Sequence, residues 1–435
     1  MQDRKHVAWL YGQLPDLLRD GTIDADSASR IRSRYGDVEE GGQSRAIVLF
    51  GILGAALIGG GIILLIAHNW DGFGRPLRAA LSLAPLLLGQ GLVGWTLARR
   101  PESVAWREGA GTFLTLAIGA SIALVAQTYH TGGRFEDFLL SWVILGLPVA
   151  YLLRATLPAI LYLVGIVSWA GINSAWTWDQ GNWGVGEALG YWGLLALAMP
   201  WWFIEMREGR YGPRVALFGW TLALTLPIGF AISLGKVTFG FAGPVWHAAF
   251  WTTLFLAGAK WWPHATSPRQ RPLLQVGALG AVGVALVLTF GDAWREHPTI
   301  TGSLAGYAIP LAWLAASLAL WADALKRRDV GSALLGSLPV VACAGYAVSA
   351  VSPWLAAAAF NLYVFALGVG VLVIGLRAQR LAMVNAGMMI LSALILIRFF
   401  DVDIGFVARG VAFIVIGAGF LLTNVMLLRK RRAAQ

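Results

Sequence analysis

The sequence predicts an all-α protein: a polytopic bundle of about fourteen transmembrane helices with a short helical hairpin in front of it. Three observations predict this class. Of the 435 residues, 57% are apolar and only 13% are charged, whereas soluble domains carry roughly 25% charged residues. The mean hydropathy is +0.67. The charged residues stand between long apolar runs, which is typical of a multi-span membrane protein.

Residues 1–45 form the predicted hairpin, which we expect to be cytoplasmic. Apolar residues at helical spacing give a first helix that ends near Gly21, and Asp24 is well placed to cap a second helix ending at Gly36. Arginines on the second helix suggest a helix-turn-helix, but the base-reading polar side chains of such modules are missing. No nucleic-acid partner is therefore expected. A hairpin this small needs support from the membrane domain or from a partner protein.

The transmembrane domain is predicted to occupy residues 46–428, followed by a basic tail at 429–435. Each candidate span is close to the ~20 residues that the hydrocarbon core requires. The predicted limits are 46–67, 77–98, 110–127, 138–153, 155–172, 188–206, 213–234, 244–262, 273–290, 303–322, 332–350, 354–376, 381–398 and 405–428. The fourth and fifth spans are short and separated only by Arg154. One of them could be tilted or re-entrant, which leaves the count between twelve and fourteen.

The basic residues indicate how the helices are threaded through the membrane. With a cytoplasmic amino terminus, 26 of the 33 lysines and arginines fall on the cytoplasmic side of the predicted spans and 7 on the other side. Such a bias is the signature of cytoplasmic loops, and one missed span would invert it for the rest of the chain. Both termini are therefore predicted to be cytoplasmic.

Polar side chains gather at the outer ends of the predicted spans, while the span centres carry no Asp, Glu, Lys or Arg. An uncharged interior argues against a proton-coupled pump. Imidazoles beside carboxylates could form a ligand-binding or acid–base site, but the same residue types also favour membrane interfaces. Both interpretations stay open. The candidate outer site comprises His68, Asn69, Trp70, Asp71, Gln127, Tyr129, His130 and Asp137.

Two further patterns concern the packing of the bundle. Arg398, Asp401, Asp403 and Arg409 flank the last outer turn, where ion pairs would clasp the final helical hairpin. Small residues in 51–61 and 368–375 favour close helix approach, which suits a tight bundle and also a homodimer or a membrane partner.

The chain has one cysteine and no HExxH or CxxC motif. No metal or cofactor is therefore predicted.

Three stretches carry a family resemblance: WLYGQLPDLLRDGTIDADSASRIRSRYG (9–36), GGGIILLIAHNWDG (59–72) and AQTYHTGGRFEDFLLSWVILGLPVAYLLR (126–154). Over about residues 7–155 they resemble the bacterial membrane proteins of the domain of unknown function 2157 family. The segment IRFFDVDIGFVARGVAFIVIGAGFLL (397–422) is similar to the carboxy-terminal end of the same and related families. The resemblance implies a multi-pass protein of the bacterial inner membrane with no established activity. It also favours HNWD and QTYH over the other outer polar clusters.

The sequence leaves three functions open. The leading hypothesis is a membrane component that binds or moves an apolar or neutral envelope molecule, because the interior is uncharged and the polar groups lie at one mouth. The second is an envelope enzyme, such as a transferase on a lipid-linked substrate, with catalytic groups at the outer interface. The third is a scaffold or sensor that recruits a partner through the hairpin. The expected partners are the lipid bilayer and an apolar or lipidic ligand.

Overall fold

The computed structural model describes residues 2–35, 68–178, 185–207, 213–237, 242–261, 270–295 and 307–401, with a few isolated positions between 411 and 419. Every regular element in these residues is helical. The chain forms two compact units, residues 1–81 and 82–435, and each is considered by itself. The predicted spans 46–67 and 405–428 lie outside the described residues, apart from those isolated positions in the second one.

The first unit contains α1 (Gln2–Arg19) and α2 (Ala25–Tyr35), which contact each other. Leu14 of α1 is fully buried and Ala28 of α2 nearly so. Between the helices, Gly21 has a φ of +70°, a left-handed conformation that glycine adopts without strain. Asp24 caps α2 as predicted, since its carboxylate accepts a hydrogen bond from the Ser27 amide at 2.8 Å. The cytoplasmic placement of this hairpin stays a prediction.

The helices that follow reproduce the predicted order of apolar segments. Their bounds are α3 (Arg75–Arg99), α4 (Val104–Tyr129), α5 (Phe135–Leu153), α6 (Thr156–Trp178), α7 (Val185–Arg207), α8 (Pro213–Val237), α9 (Gly243–Trp261), α10 (Pro272–Val287), α11 (Ala308–Lys326), α12 (Val330–Gly336), α13 (Leu338–Ser349), α14 (Pro353–Arg377) and α15 (Leu381–Asp401). Short 3-10 turns occupy Trp70–Gly72 and Gly291–Trp294.

In the part of the chain that the structure describes, nine segments are long and apolar enough to cross a membrane, α12 and α13 together forming one of them. The predicted spans at α7, α9 and α10 are also helical, but α7 and α9 are rich in tryptophan and α10 has only 16 residues. The described helices therefore fit a multi-pass membrane protein, whereas the count of fourteen stays a prediction. Helices α5 and α6 are both long enough to span, so neither needs to be re-entrant.

One end of the second unit gathers charged residues that connect helix ends. Both Glu108 carboxylate oxygens accept amide hydrogen bonds from the first turn of α6, at 2.8 Å each. Arg154, just after α5, pairs with Glu205 near the end of α7 at 2.8 Å. Lys260 at the end of α9 pairs with Asp323 near the end of α11 at 3.2 Å. Helices α4 and α6 therefore begin where α5 and α7 end, as alternating spans require.

Close contacts extend this arrangement through the rest of the bundle. Gly219 in the first turns of α8 faces Pro272 at the start of α10, and Gly331 in α12 faces Met383 in α15. We call this end the basic face. Thirteen of its cations lie in the described residues: Arg99, Arg100, Arg107, Arg154, Arg207, Arg214, Lys260, Arg271, Lys326, Arg327, Arg328, Arg377 and Arg380. The opposite helix ends of this unit carry four, namely Arg134, Lys236, Arg295 and Arg398, in the same described ranges.

The hydrophobic core of the second unit is formed by residues from helices in the range α5 to α15. Large buried aromatic side chains fill it, among them Trp202, Phe218, Phe250, Trp294 and Phe360. A second, smaller apolar cluster joins α3, α4 and α5 through Val93, Leu114, Ile118, Val149 and Leu153. Helix α3 contributes few side chains to it, and one of its close contacts is Gly89 against Leu114 of α4. The α3 side of the bundle is therefore more loosely filled than the centre.

Candidate functional site

The two parts of the predicted outer site lie in different compact units. His68, Asn69, Trp70 and Asp71 belong to residues 1–81, whereas Gln127, Tyr129, His130 and Asp137 belong to residues 82–435. Each group is therefore described separately. The proposal that they form one site stays a prediction.

The first group forms a short turn before α3. His68 and Asn69 are exposed, while Trp70 is only 7% exposed. The Arg78 guanidinium lies over the Trp70 ring, 5.9 Å from its centroid, and Arg78 Nε donates to the Phe73 carbonyl at 2.9 Å. A cation over an indole face is attracted by the ring quadrupole. This interaction holds the HNWD turn against the start of α3. The side chain of Asp71 lies outside what the structure describes.

The second group surrounds the loop between α4 and α5, where its members are exposed. His130 ends α4 in a left-handed conformation, with φ of 52°, and its amide donates to the Ala126 carbonyl. Asp137 accepts a hydrogen bond from the Arg134 amide at 3.4 Å and completes a capping box at the start of α5. Arg134 also pairs with the buried Glu136 carboxylate. These contacts explain the loop as helix-end structure, and they include a buried acid, Glu136, beside the predicted site residue Asp137.

Below this loop lies a cavity between α3, α4 and α5, which we call the α3–α5 cavity. Its volume is about 620 Å³, within the usual range of small-molecule sites. Nine of its twelve lining residues are apolar, and none is charged. The lining residues are Leu83, Leu86, Gln90, Leu114, Ile118, Ser121, Ile122, Val125, Ala126, Thr131, Leu145 and Val149.

The cavity runs along α4 and opens at the surface of the bundle. From Leu114 to Ala126 the helix advances by about 18 Å at 1.5 Å per residue. Leu83 and Leu145 stand in its wall and are 44% and 55% exposed. Both are apolar residues of helices able to span a membrane. The opening therefore faces the region that lipid would occupy. Sequence reasoning missed this cavity, because its shape depends on side-chain volumes from three helices.

The predicted clasp residue Arg398 makes a different set of contacts. Its Nη2 donates to the Thr289 carbonyl at 2.6 Å and to the Thr289 hydroxyl at 2.7 Å. The Asn361 amide donates to the same carbonyl at 3.0 Å, and the guanidinium lies over the Phe290 ring. Arg398 thus joins α15 to the unwound end of α10. The Asp401 side chain, Asp403 and Arg409 lie outside the described residues, so the predicted ion pairs stay predictions.

No group of three or more histidine, cysteine, aspartate or glutamate side chains is close enough to hold a metal ion within the described ranges. The polar groups near the α3–α5 cavity are hydroxyls and an amide, which bind uncharged molecules by hydrogen bonds rather than by coordination.

Comparison with known protein families finds a match over about one third of the chain. Residues 15–159 match the family model described as predicted membrane protein (DUF2157). That match confirms the resemblance read from the sequence over about residues 7–155. The DUF2157 segment contains HNWD, QTYH and the whole wall of the α3–α5 cavity. No curated protein and no solved structure matches the chain.

Proposed function

We propose that this membrane protein binds an apolar or uncharged molecule of the cell envelope in the α3–α5 cavity, as a carrier or a holder of that molecule. The observation that carries the proposal is a cavity of about 620 Å³ with no charged lining residue, open between Leu83 and Leu145. An ionised ligand would lose its hydration there without gaining a counter-charge. An apolar chain that enters from lipid has no hydration shell to lose, so it does not meet this cost.

The DUF2157 segment supports the choice of this cavity over the rest of the bundle, because all twelve lining residues fall within 15–159. The outer groups His130 and Thr131 stand at the end of α4 beside its mouth. In this proposal QTYH forms the polar rim of the cavity and not a catalytic centre.

Filling the cavity tests the proposal. Ala126→Phe adds a ring to the cavity wall, and Leu116→Phe changes an exposed α4 residue outside that wall as the matched control. Full-length protein in phospholipid nanodiscs is labelled with hexadecane carrying a mid-chain diazirine, and the labelled peptides are mapped by mass spectrometry. We expect cross-links to the cavity wall that fall at least five-fold in Ala126→Phe and stay unchanged in Leu116→Phe. Equal labelling of all three proteins would refute the proposal.

We further propose that the basic face is cytoplasmic and that the protein resides in a bacterial inner membrane with both termini inside. Thirteen cations at this face against four at the other, in the described part of residues 82–401, support this orientation. Cys343 is replaced by serine, and single cysteines are placed at Arg99, Lys326 or Gly132. A membrane-impermeant maleimide added to spheroplasts should label only Gly132→Cys. Labelling of Arg99→Cys or Lys326→Cys from outside would overturn the orientation.

A further inference from the structure

Three polar side chains, Gln90, Ser121 and Thr131, belong to the lining of the α3–α5 cavity. Thr131 follows the end of α4, away from the basic face. Ser121 lies within α4, but its hydroxyl oxygen is buried and cannot reach a ligand in the cavity. Gln90 lies within α3 and is exposed. It is therefore the polar side chain of the lining that a molecule inside the spanning part of the cavity can contact.

The spacing along α3 places Gln90 on the face that lines the cavity. Leu83, Leu86 and Gln90 follow one another at intervals of three and four residues, so they share one side of the helix. Two other polar side chains of α3, Ser82 and Thr96, are fully buried. The Gln90 carboxamide thus interrupts an apolar stripe of the cavity wall.

Gln90 also lies well inside the span. It stands nine residues before Arg99 at the basic face, or about 13 Å along the helix. Helix α3 is long and apolar enough to cross a membrane. An amide in such a surrounding is costly unless it forms hydrogen bonds, and in the described part of the chain the Gln90 side chain has no such partner. A ligand group in the cavity would supply one.

We infer that the ligand of the α3–α5 cavity is a lipid with an uncharged oxygen group, a carbonyl or a hydroxyl, within its apolar chain, and that this group hydrogen-bonds to the Gln90 amide. This inference rests on the proposed binding function and names the chemical class of its ligand. A carboxamide donates through its NH₂ group and accepts through its carbonyl, so it binds either oxygen group without any charge. Leu86, Leu114 and Ile118 supply the apolar wall for the chain.

The depth of Gln90 distinguishes this ligand from the phospholipids of the bilayer. The ester carbonyls and the head group of a phospholipid lie at the interface, outside the ~30 Å hydrocarbon core. A charged head group also has no partner in the cavity, because none of the twelve lining residues is charged. The oxygen group of the ligand therefore sits part-way along an apolar molecule.

Competition against a photoactivatable alkane tests this inference. Full-length protein in phospholipid nanodiscs is labelled with hexadecane carrying a mid-chain diazirine, while the mole fraction of unlabelled heptadecane or heptadecan-9-one is raised. The two competitors differ by one mid-chain carbonyl. In wild-type protein, heptadecan-9-one should halve the labelling of the cavity wall at about a three- to ten-fold lower mole fraction than heptadecane, as one hydrogen bond predicts.

Two variants locate the hydrogen bond. Gln90→Met keeps the length of the side chain and removes the amide, so the two competitors should become equal. The double variant Leu87→Gln/Gln90→Met returns a glutamine to α3 at a position that is 64% exposed and does not line the cavity. This matched control should behave as Gln90→Met does, because its amide lies outside the cavity wall.

The outcomes separate this inference from the proposed function. If the probe labels the cavity wall but the ketone has no advantage in wild type, or the same advantage in Gln90→Met, the inference is refuted and the binding function stands. A ketone preference recovered in the double variant would also refute it, since an amide outside the cavity would then suffice. If the probe does not label the cavity wall of the wild-type protein, the binding function itself fails.

Discussion

Replacing Glu108 by alanine should destabilise the protein through one helix end. The Glu108 carboxylate accepts the Thr156 and Leu157 amides at 2.8 Å each, and its side chain is 15% exposed. These amides begin α6 and have no partner within the helix itself. Hydrogen bonds to a charged group contribute about 1.5–3 kcal/mol each. Because some water can reach the site in the variant, we expect Glu108→Ala to lower the free energy of unfolding by about 2–4 kcal/mol.

The contribution of these amide hydrogen bonds can be separated from that of the nearby ion pair. Arg214 lies 3.7 Å from the same carboxylate and its side chain is 40% exposed, so this pair should contribute less than about 1 kcal/mol. Arg214→Ala should therefore cost much less than Glu108→Ala. Glu108→Gln keeps one acceptor oxygen and loses the charge, which places its cost between the two. If the ion pair mattered more than the cap, this order would be reversed.

Equilibrium unfolding of the full-length protein in mixed micelles measures these differences. Glu102→Ala is the matched control, since Glu102 is an exposed carboxylate on the loop before α4. Its effect should lie within about 0.5 kcal/mol of wild type, as for most surface substitutions. A Glu108→Ala protein as stable as Glu102→Ala would refute the view that this carboxylate holds the start of α6.

Two further predictions concern a close helix contact and the amino-terminal hairpin. A Cβ at Gly387 would stand 2.6 Å from the Leu372 amide nitrogen, so Gly387→Ala should lower the free energy of unfolding by about 1–3 kcal/mol. Gly91 has open space around it, so Gly91→Ala should be neutral or slightly stabilising in the same assay. Equal effects of the two substitutions would contradict the close approach of α14 and α15. The hydrogen bonds from Ser27 lower the pKa of the Asp24 carboxyl. The ionised carboxylate therefore stabilises the start of α2 at any pH above the usual aspartate pKa, and this stabilisation is lost as the pH falls through the lowered pKa of Asp24. Hydrogen exchange of the full-length protein at neutral pH should show faster exchange of the Ser27 amide in Asp24→Ala than in wild type or Asp24→Asn, and unchanged exchange would count against the cap.

The apolar helices of the described residues were predictable from the sequence because hydropathy depends only on nearby residues. Helix α3 covers the predicted 77–98 and α14 the predicted 354–376 within two residues at each end. Asp24 and Gly21 marked the hairpin turn for the same reason, since capping and left-handed backbone are local properties. The break at Ser337 is also local: Pro339 follows it and cannot continue a regular helix from the preceding turn.

The site was not predictable in the same way. Arg398 contacts Thr289, 109 positions earlier in the chain, and the neighbouring Phe290. Its predicted pairing with Asp401, three residues away, gave no sign of these contacts. Glu108 gave no signal of its own, because its partners Thr156 and Leu157 meet it only when α4 and α6 are packed. Contacts between distant helices need the three-dimensional arrangement, which hydropathy does not contain.

The α3–α5 cavity follows from an uneven contact between α3 and α4. At Gly89 the missing side chain lets the helices approach, so that a Cβ would meet Leu114 at 3.0 Å. Leu86 and Leu83, which precede Gly89 on α3, line the cavity. The close contact at Gly89 therefore lies beside the cavity, and the leucine-lined part of the cavity lies nearer the start of α3. In the proposed function, the absence of charge from the lining residues is what would exclude an ionised ligand from this cavity.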